Sequence, residues 1–276
     1  MKKFLTVPMI LVVSSAAMAQ EKELTPSKPS NTIQAPRNEE TQRTILMPTS
    51  KLIGATLKDK NGDDCGTVSS FVFNKQGEAM FVIVGKGGVL GIGEEEVAVP
   101  WAAFSCECKM KGDEMTCHPK VAVVGKELVT AKRLRARQYT ELTDAQWVAE
   151  NAKFYNVPAS VVPVQDGVCT SHFINATVKS SDNLDAGVLD EFMIEQRTGK
   201  VPAVVIGTGG VAGVGKNFVA LPFAKLSFAI DKEKATVRAN MTKSAIEGAQ
   251  KVTADEYPEL RLSSVINKLN TELKDR

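Results

Sequence analysis

Histidine is scarce in this chain of 276 residues, which contains only His118 and His172. A hydrolase that works through an activated serine or cysteine needs a base beside the nucleophile and a third group that orients the base. His172 directly follows Ser171, but neighbouring residues on a strand point to opposite faces. We therefore predict that the protein has no catalytic residues and is not an enzyme.

The chain also lacks a strong excess of charge of either sign, with 34 basic and 32 acidic residues. Loss of Lys2 and Lys3 with a leader would make the two counts equal. A neutral protein has no global attraction for nucleic acid, and we expect no nucleic-acid partner. The one dense basic run, at 132–137, is typical of a solvated face. Contact of this run with an anionic membrane or partner is the alternative interpretation.

Long hydrophobic runs are missing beyond the amino terminus. Residues 1–19 combine a basic start, an apolar run of about a dozen residues and the small-x-small sequence Ala17-Met18-Ala19. This pattern predicts a secretory signal peptide, because the run is shorter than the roughly 20 residues that span a bilayer. We expect export, a periplasmic location and no transmembrane segment in the mature chain. Residues 20–45 are charged, proline-rich and poor in apolar groups, which predicts a disordered tether.

What the chain does have is an internal repeat. Residues 84–105 align without gaps on 206–227, with eleven identical positions. Short runs rich in Val, Ile and Phe alternate with turn signals such as Asn61-Gly62, which predicts strands. We therefore predict a mainly β protein with two small β-barrels in tandem, at 46–118 and 167–242.

Helices are expected outside the two repeats. A linker at 119–166 contains the capping box Thr143-Asp-Ala-Gln146, which predicts a helix at about 144–155. Its aromatic residues would either pack on a barrel or form a partner-binding face. The tail at 243–276 has an apolar stripe at helical spacing and is predicted to be helical. The aromatic residues are Trp147, Phe154 and Tyr155, and the stripe is Val265, Ile266, Leu269 and Leu273.

Each repeat carries a glycine-rich loop. Residues 207–212 have the spacing of a dinucleotide-binding fingerprint, but Leu90 breaks that pattern in the first copy. The sequence after each loop indicates a strand, whereas the fingerprint needs a helix whose amino terminus faces the pyrophosphate. We expect structural turns that require positive φ, and no cofactor. The glycines assigned to these turns are Gly87, Gly88, Gly91, Gly93, Gly209, Gly210, Gly213 and Gly215.

Five cysteines are present, and disulfides are the first expectation in an oxidising compartment. Lys111-Gly112 has the character of a two-residue hairpin turn. Pairing of Met110 with Asp113 would then place Cys106 opposite Cys117, and we predict a disulfide between them. The states of the other three cysteines stay open, with a bridge between the two repeats as one alternative for two of them. The three are Cys65, Cys108 and Cys169, and the alternative bridge joins Cys65 to Cys169.

A metal site is the competing interpretation of this cluster. Its candidate ligands are Cys106, Cys108, Cys117 and His118, and three thiolates with one imidazole suit tetrahedral Zn²⁺. The spacing is unusual for zinc, and adjacent residues Cys117 and His118 would point apart on a strand. Redox exchange at Cys106-Glu-Cys108 is a second alternative, although it is not a C-x-x-C motif at a helix amino terminus.

The first repeat resembles the PRC-barrel family. The resemblance rests on three stretches of the first repeat. The second repeat is more diverged, with Asn175 in place of Gly54 and Phe223 in place of Trp101. The resemblance implies a small barrel of about six strands in each copy, an adaptor role in docking on other proteins, and no shared catalytic residues. The stretches are Ser50–Gly54, Asp64–Val68 with Phe71–Phe73, and Gly87–Gly93 with Val97–Trp101.

We therefore expect a non-enzymatic periplasmic adaptor or scaffold that binds an unidentified envelope protein. The alternative is a cysteine-based metal-binding or redox protein of the envelope. Sequence alone leaves the partner, the pathway and the oligomeric state open.

Overall fold

The computed structural model describes eight segments of the chain. The predicted signal peptide, the tether, nearly all of both glycine loops and the apolar stripe of the tail lie outside them. Arg135 and Arg137 of the basic run lie outside as well. The described residues are 46–86, 95–111, 114–134, 139–158, 161–209, 217–231, 234–249 and 251–252.

Two sheets of eight strands each contain about half of these residues. The strands of the first half are β1 (Leu46–Pro48), β2 (Thr56–Lys58), β3 (Asp64–Phe73), β4 (Ala79–Lys86), β5 (Glu95–Pro100), β6 (Phe104–Lys111), β7 (Glu114–Val121) and β8 (Arg133–Leu134). Those of the second half are β9 (Val168–Cys169), β10 (Thr177–Lys179), β11 (Asp185–Glu195), β12 (Ala203–Thr208), β13 (Asn217–Pro222), β14 (Leu226–Asp231), β15 (Lys234–Ala239) and β16 (Lys251–Val252).

The two sheets have the same strand order. One runs β6-β7-β2-β3-β4-β5-β8 and the other β14-β15-β10-β11-β12-β13-β16. In each, the neighbours are antiparallel except for one parallel pair, β2 with β7 and β10 with β15. The prediction of a mainly β chain with two β units is thus confirmed. Both sheets also run past the predicted barrel boundaries, because β8 and β16 add a last short strand to each.

Local sequence explains where the central strands lie and end. All six residues of β12 are buried, as expected for a strand covered on both faces. Pro100 and Pro222 end β5 and β13, since proline has no N–H for the next ladder bond. A 3-10 turn follows each proline, at Trp101–Ala103 and Phe223–Lys225. A strand, β5 or β13, therefore follows each glycine loop, as predicted.

The predicted helix in the linker is present as α2 (Ala145–Phe154). Its cap is Asp144, whose carboxylate accepts a bond of 2.7 Å from the Trp147 N–H. The sequence indicated Thr143 instead, but Thr143 ends a preceding 3-10 turn and its hydroxyl donates to the Thr140 carbonyl. The remaining described helices are short: α1 (Gly125–Leu128), α3 (Thr170–Phe173), α4 (Lys243–Glu247) and 3-10 turns at Thr49–Lys51 and Thr140–Thr143.

The aromatic residues of α2 pack inward. Tyr155 is buried in the main core and Phe154 is partly buried against it. Trp147 is partly buried against a second cluster that contains Val148 and Leu142. Of the two alternatives for these residues, packing on the β units is the one that the structure shows.

The two halves exchange their first strands. β1 pairs with β11 of the second sheet, where Met47 lies opposite Ile194. β9 pairs with β3 of the first sheet, where Cys169 lies opposite Val72. One hydrophobic core extends across both halves, and the rings of Phe73 and Phe192 lie 5.4 Å apart within it. The two repeats are therefore interlocked and do not pack as two separate domains.

Candidate functional site

The cysteine cluster lies on the hairpin of β6 and β7, and its register differs from the predicted one. Lys111 lies opposite Glu114 and Cys108 lies opposite Cys117, whereas Cys106 faces Pro119. The two-residue connection is therefore Gly112-Asp113, which is itself a hairpin signal and overlaps the dipeptide chosen from the sequence. The pairing of Met110 with Asp113 was wrong.

The predicted disulfide was wrong for the same reason. The structure joins Cys108 to Cys117, with their Cα atoms 4.1 Å apart, and Cys106 is a free thiol. Residues directly opposite on antiparallel strands are close enough for such a bridge. A shift of one pairing moves the partner of Cys117 by two residues along β6, from Cys106 to Cys108.

Cys106 nevertheless lies beside this disulfide. Its sulfur is 3.7 Å from that of Cys108, because residues two apart on a strand share a face. The sulfurs of Cys106, Cys108 and Cys117 all lie within 4.8 Å of one another. Cys106 and Cys108 are only 7% and 8% exposed, and Cys117 is partly buried. Three sulfur atoms therefore meet on the core-facing side of the hairpin.

Burial sets the protonation state of the free thiol in this cluster. It raises the pKa of Cys106 to about 12, although a bond from the backbone of His118 acts in the opposite direction. A thiol is nucleophilic only as the thiolate. The neutral form of Cys106 therefore argues against the alternative of redox exchange through Cys106 and Cys108.

The structure does not bring His118 into the cluster. His118 is exposed and lies opposite Glu107 on β6, whereas Cys117 faces the core. Within the described part of the chain, the candidate ligands that come together are the three cysteines. The proposed Zn²⁺ set of three thiolates and one imidazole is therefore not assembled.

The other two cysteines form no disulfide and are buried in separate places. The Cys65 thiol donates to the Leu57 carbonyl over 3.3 Å. Cys169 pairs with Val72, seven residues along β3 from Cys65, which is roughly 20 Å at about 3.3 Å per residue. The alternative bridge between Cys65 and Cys169 is therefore excluded by distance.

A buried carboxylate marks the junction where β1 leads into the first 3-10 turn. Glu191 of β11 is 1% exposed. It accepts hydrogen bonds from the Thr49 hydroxyl, from the Ser50 N–H at 3.0 Å and from the Phe192 N–H at 3.2 Å. Burial raises the pKa of Glu191, and these donors only partly offset that effect.

The equivalent junction of the other half uses a serine in the same place. Ser70 occupies the position on β3 that Glu191 occupies on β11. Its hydroxyl lies 2.9 Å from the Thr170 hydroxyl and accepts a bond of 3.1 Å from the Ser171 N–H. The two junctions therefore share one hydrogen-bonding plan, but only the Glu191 junction contains a carboxylate. The Ser70 hydroxyl instead lies 3.0 Å from the Cys169 thiol, and burial raises the pKa of that thiol.

Two β-turns form reciprocal contacts between the halves. The Val201 N–H donates to the Gly77 carbonyl over 2.7 Å, and the Ala79 N–H donates to the Gly199 carbonyl over 2.9 Å. Trp101 lies against Gly199, and Phe223 lies against Gly77. Both glycines have positive φ, +76° at Gly77 and +72° at Gly199. A Cβ added at either position would lie within 3 Å of the facing ring. The sequence indicated these turns, but not the rings that close on them.

The remaining predicted site residues are only partly described. Gly209 has a φ of +66°, as expected for a turn glycine. The other seven glycines assigned to the loops lie outside the described residues. In the basic run, Lys132 pairs with Glu150, and Arg133 pairs with Glu95. Among the described helices, none has the length and apolar character needed to cross a bilayer.

Comparison with known proteins identifies one family. Residues 46–123 match the family model of the PRC-barrel domain. This segment spans β1 to β7, and it includes the three-cysteine hairpin. A search of curated proteins found no match to the chain.

Proposed function

We propose that this chain, which carries a PRC-barrel domain at residues 46–123, is a non-enzymatic protein-binding adaptor of the periplasm. The observation that carries the proposal is the interlocking of two sheets of identical strand order through exchanged first strands. This arrangement joins two equivalent units in one molecule. A partner that binds one unit then meets the second at high effective concentration.

The packing of the sheets supports binding at an outer surface. Side chains such as Val82, Val84, Val204 and Ile206 are fully buried in the common core. Because side chains fill the interior of the sheets, a partner has to bind at their outer surface. We therefore assign partner binding to the strands at the outer ends of the two sheets.

The strands β6 and β14 supply such ends. Each is the last described strand on its side of the sheet, and each has exposed side chains, among them Glu107 on β6 and Ala229 on β14. The outer N–H and C=O groups of an end strand have no neighbouring strand, and a partner can use them by adding a strand of its own. On β6 one of these groups, the Cys106 carbonyl, already accepts a bond from the Gln196 side chain. We propose this mode of docking because it uses the same backbone groups in both halves.

The proposed periplasmic location rests on the amino-terminal sequence. The disulfide between Cys108 and Cys117 agrees with it, because disulfides persist in oxidising compartments. Export is tested by mass spectrometry of the protein from the cell envelope. We expect a mature chain that begins at Gln20, and a chain that retains Met1 in the cytoplasmic fraction would overturn this part of the proposal.

The adaptor role is tested by photocrosslinking in the envelope of the native host. A photoreactive residue replaces Glu107 in one variant and Ala229 in another, and Lys153 on α2 is the exposed control position outside the sheets. We expect a recurring partner from one or both strand positions and not from the control. The proposal fails if neither strand position yields an adduct, or if all three positions yield the same set of proteins.

A further inference from the structure

The three sulfur atoms of the β6–β7 hairpin have the spacing of a metal site. Three sulfurs at about 2.3 Å from one ion in a plane are about 4.0 Å apart. The sulfurs of Cys106 and Cys108 are 3.7 Å apart, and all three sulfurs lie within 4.8 Å of one another. Once the disulfide is reduced, side-chain rotation alone would bring the sulfurs of Cys108 and Cys117 to this separation.

We propose that reduction of the Cys108–Cys117 disulfide creates a binding site for one Cu(I) ion, whose ligands are the sulfurs of Cys106, Cys108 and Cys117. This inference goes beyond the adaptor function and does not depend on it. In the oxidised chain the cluster has one free thiol, and in the reduced chain it has three. The disulfide therefore switches the site off.

The ligand set favours Cu(I) over Zn²⁺. Soft thiolate and thioether donors bind both Cu(I) and zinc, but structural zinc sites are almost always four-coordinate, and this cluster brings together three cysteine sulfurs. His118 is exposed on the opposite face of β7 and supplies no imidazole. The next core-facing residue of β7 is Met115, which is buried in the same cluster as Cys106 and Cys108. An additional ligand from β7 would therefore be the thioether sulfur of Met115.

The burial of the cluster suits a weakly hydrated ion and shows where reduction begins. Cys106 and Cys108 are packed into the main core, which excludes water from two of the three sulfurs. Cys117 is partly exposed and is the sulfur that a reductant can reach. A dithiol reductant is oxidised to its own disulfide as it converts the bridge to two thiols. Cu(I) then binds, and each coordinating thiol releases one proton to solvent.

The second half provides an internal reference. The strands β14 and β15 are the counterparts of β6 and β7 and contain no cysteine. The same backbone arrangement thus forms without sulfur ligands, and the fold itself does not require the three cysteines. Gln196 of the second half donates to the Cys106 carbonyl over 2.6 Å, so the site lies beside the contact between the halves.

The test is a Cu(I) titration of the purified full chain. The protein is reduced, desalted under argon and titrated against the chromophoric chelator bicinchoninate. We expect one Cu(I) per reduced chain and no tight binding by the oxidised chain. Replacement of Cys106, Cys108 or Cys117 by serine should weaken binding by more than the roughly 10- to 100-fold that loss of an outer partner costs a metal site.

Cys65→Ser and Cys169→Ser are the matched controls, because both residues are buried cysteines that form no disulfide, and neither lies on the β6–β7 hairpin. They should leave the affinity unchanged. The proposal is overturned if these controls weaken binding as much as the hairpin variants, or if the oxidised protein binds equally well. Binding of Zn²⁺ in place of Cu(I) would also overturn it.

X-ray absorption of the copper-loaded wild-type protein gives a readout that does not depend on the folding of any variant. A shell of three or four sulfur ligands is the expected result. A nitrogen ligand, or a shell of only two sulfurs, would reject the proposed site.

Discussion

A single buried carboxylate distinguishes the two junctions between the halves. Glu191 accepts hydrogen bonds from Thr49, Ser50 and Phe192, whereas the equivalent Ser70 forms its bonds without a charge. Burial raises the pKa of Glu191 above its ordinary value of 4.5. Above the raised pKa the folded state carries a buried charge that the unfolded state carries at lower cost.

The stability of the protein should therefore fall as the pH rises from about 4.5 through the raised pKa of Glu191. Glu191→Gln keeps an oxygen that can accept from the same donors and removes the charge. We expect the variant to be more stable than the wild type at pH 8, with a difference that disappears at pH 4. Urea unfolding at intervals between these values measures the effect.

Ser70→Ala is the matched control for Glu191→Gln, because it alters the equivalent junction without changing its charge. Its effect on the free energy of unfolding should be the same throughout the range from pH 4 to pH 8, because the neighbouring Cys169 thiol, whose pKa is raised from 9.0, stays protonated there. A Glu191→Gln variant that is no more stable than the wild type at pH 8 would contradict the argument.

Alanine substitutions at two turn glycines can distinguish the cost of backbone strain from the cost of disturbed side-chain packing. Gly62 and Gly199 both have positive φ, but an added Cβ is in open space at Gly62 and lies 2.5 Å from the Trp101 ring at Gly199. Gly62→Ala should cost about 1–2 kcal/mol, the strain of a left-handed residue. Gly199→Ala should cost more than this and should shift the fluorescence of Trp101. Equal losses in the two variants would show that the reciprocal contact between turn and ring adds nothing to stability.

Residue-level signals in the sequence differ in how much they reveal. The turns at Gly77 and Gly199 were predictable, because glycine follows a polar residue between two apolar runs. Glu191 carried no such signal, since one acidic residue in a strand resembles any solvated one. The alignment of Ser70 with Glu191 is the clue that was available, and it acquires meaning only when both side chains are seen to be buried.

At the scale of elements, the β6–β7 hairpin illustrates how a short-range pattern becomes ambiguous. Lys111-Gly112 and Gly112-Asp113 are both plausible turn dipeptides, and they differ by one residue. That difference selects which cysteine faces Cys117. Sequence spacing therefore located the cluster but could not determine its pairing.

The hairpin disulfide makes a prediction that rests on this register. A peptide map under non-reducing conditions should link Cys117 to Cys108 and leave Cys106 as a thiol. The bridge joins residues nine apart in sequence, for which loop closure predicts about 2–3 kcal/mol of stabilisation. Wild-type protein in reductant should lose about this free energy of unfolding.

The double variant Cys108→Ala/Cys117→Ala is the control for the reductant. Cys65, Cys106 and Cys169 form no disulfide in the wild type, so the stability of this variant should not respond to reduction. A link from Cys117 to Cys106 in the peptide map would reject the register itself.

The exchanged strands β1 and β9 could not be read from sequence. They contain three and two residues, which is too short for a period of two to be visible. Each strand is also adjacent in sequence to its own repeat. The sequence-based boundaries therefore assigned β1 to the first barrel and β9 to the second. Long strands such as β3 and β11 were predictable, because they carry extended apolar runs between clear turns.

At the scale of the whole molecule, strand exchange predicts that the two halves depend on each other. β1 belongs to the first half but pairs with β11, and β9 belongs to the second half but pairs with β3. The halves also share one core and the reciprocal turn contacts. The chain between Pro158 and Val161 is then needed to connect the halves, but not to hold them together.

A protease recognition sequence inserted between Pro158 and Val161 tests this dependence. After cleavage under native conditions, we expect the two fragments to elute together in size-exclusion chromatography at the volume of the intact chain. Separation should require a denaturant, because the exchanged strands and the buried core must be exposed first. Two fragments that separate on cleavage and remain folded would show that each half is an independent domain. The proposed pair of linked binding surfaces would then lose its physical basis.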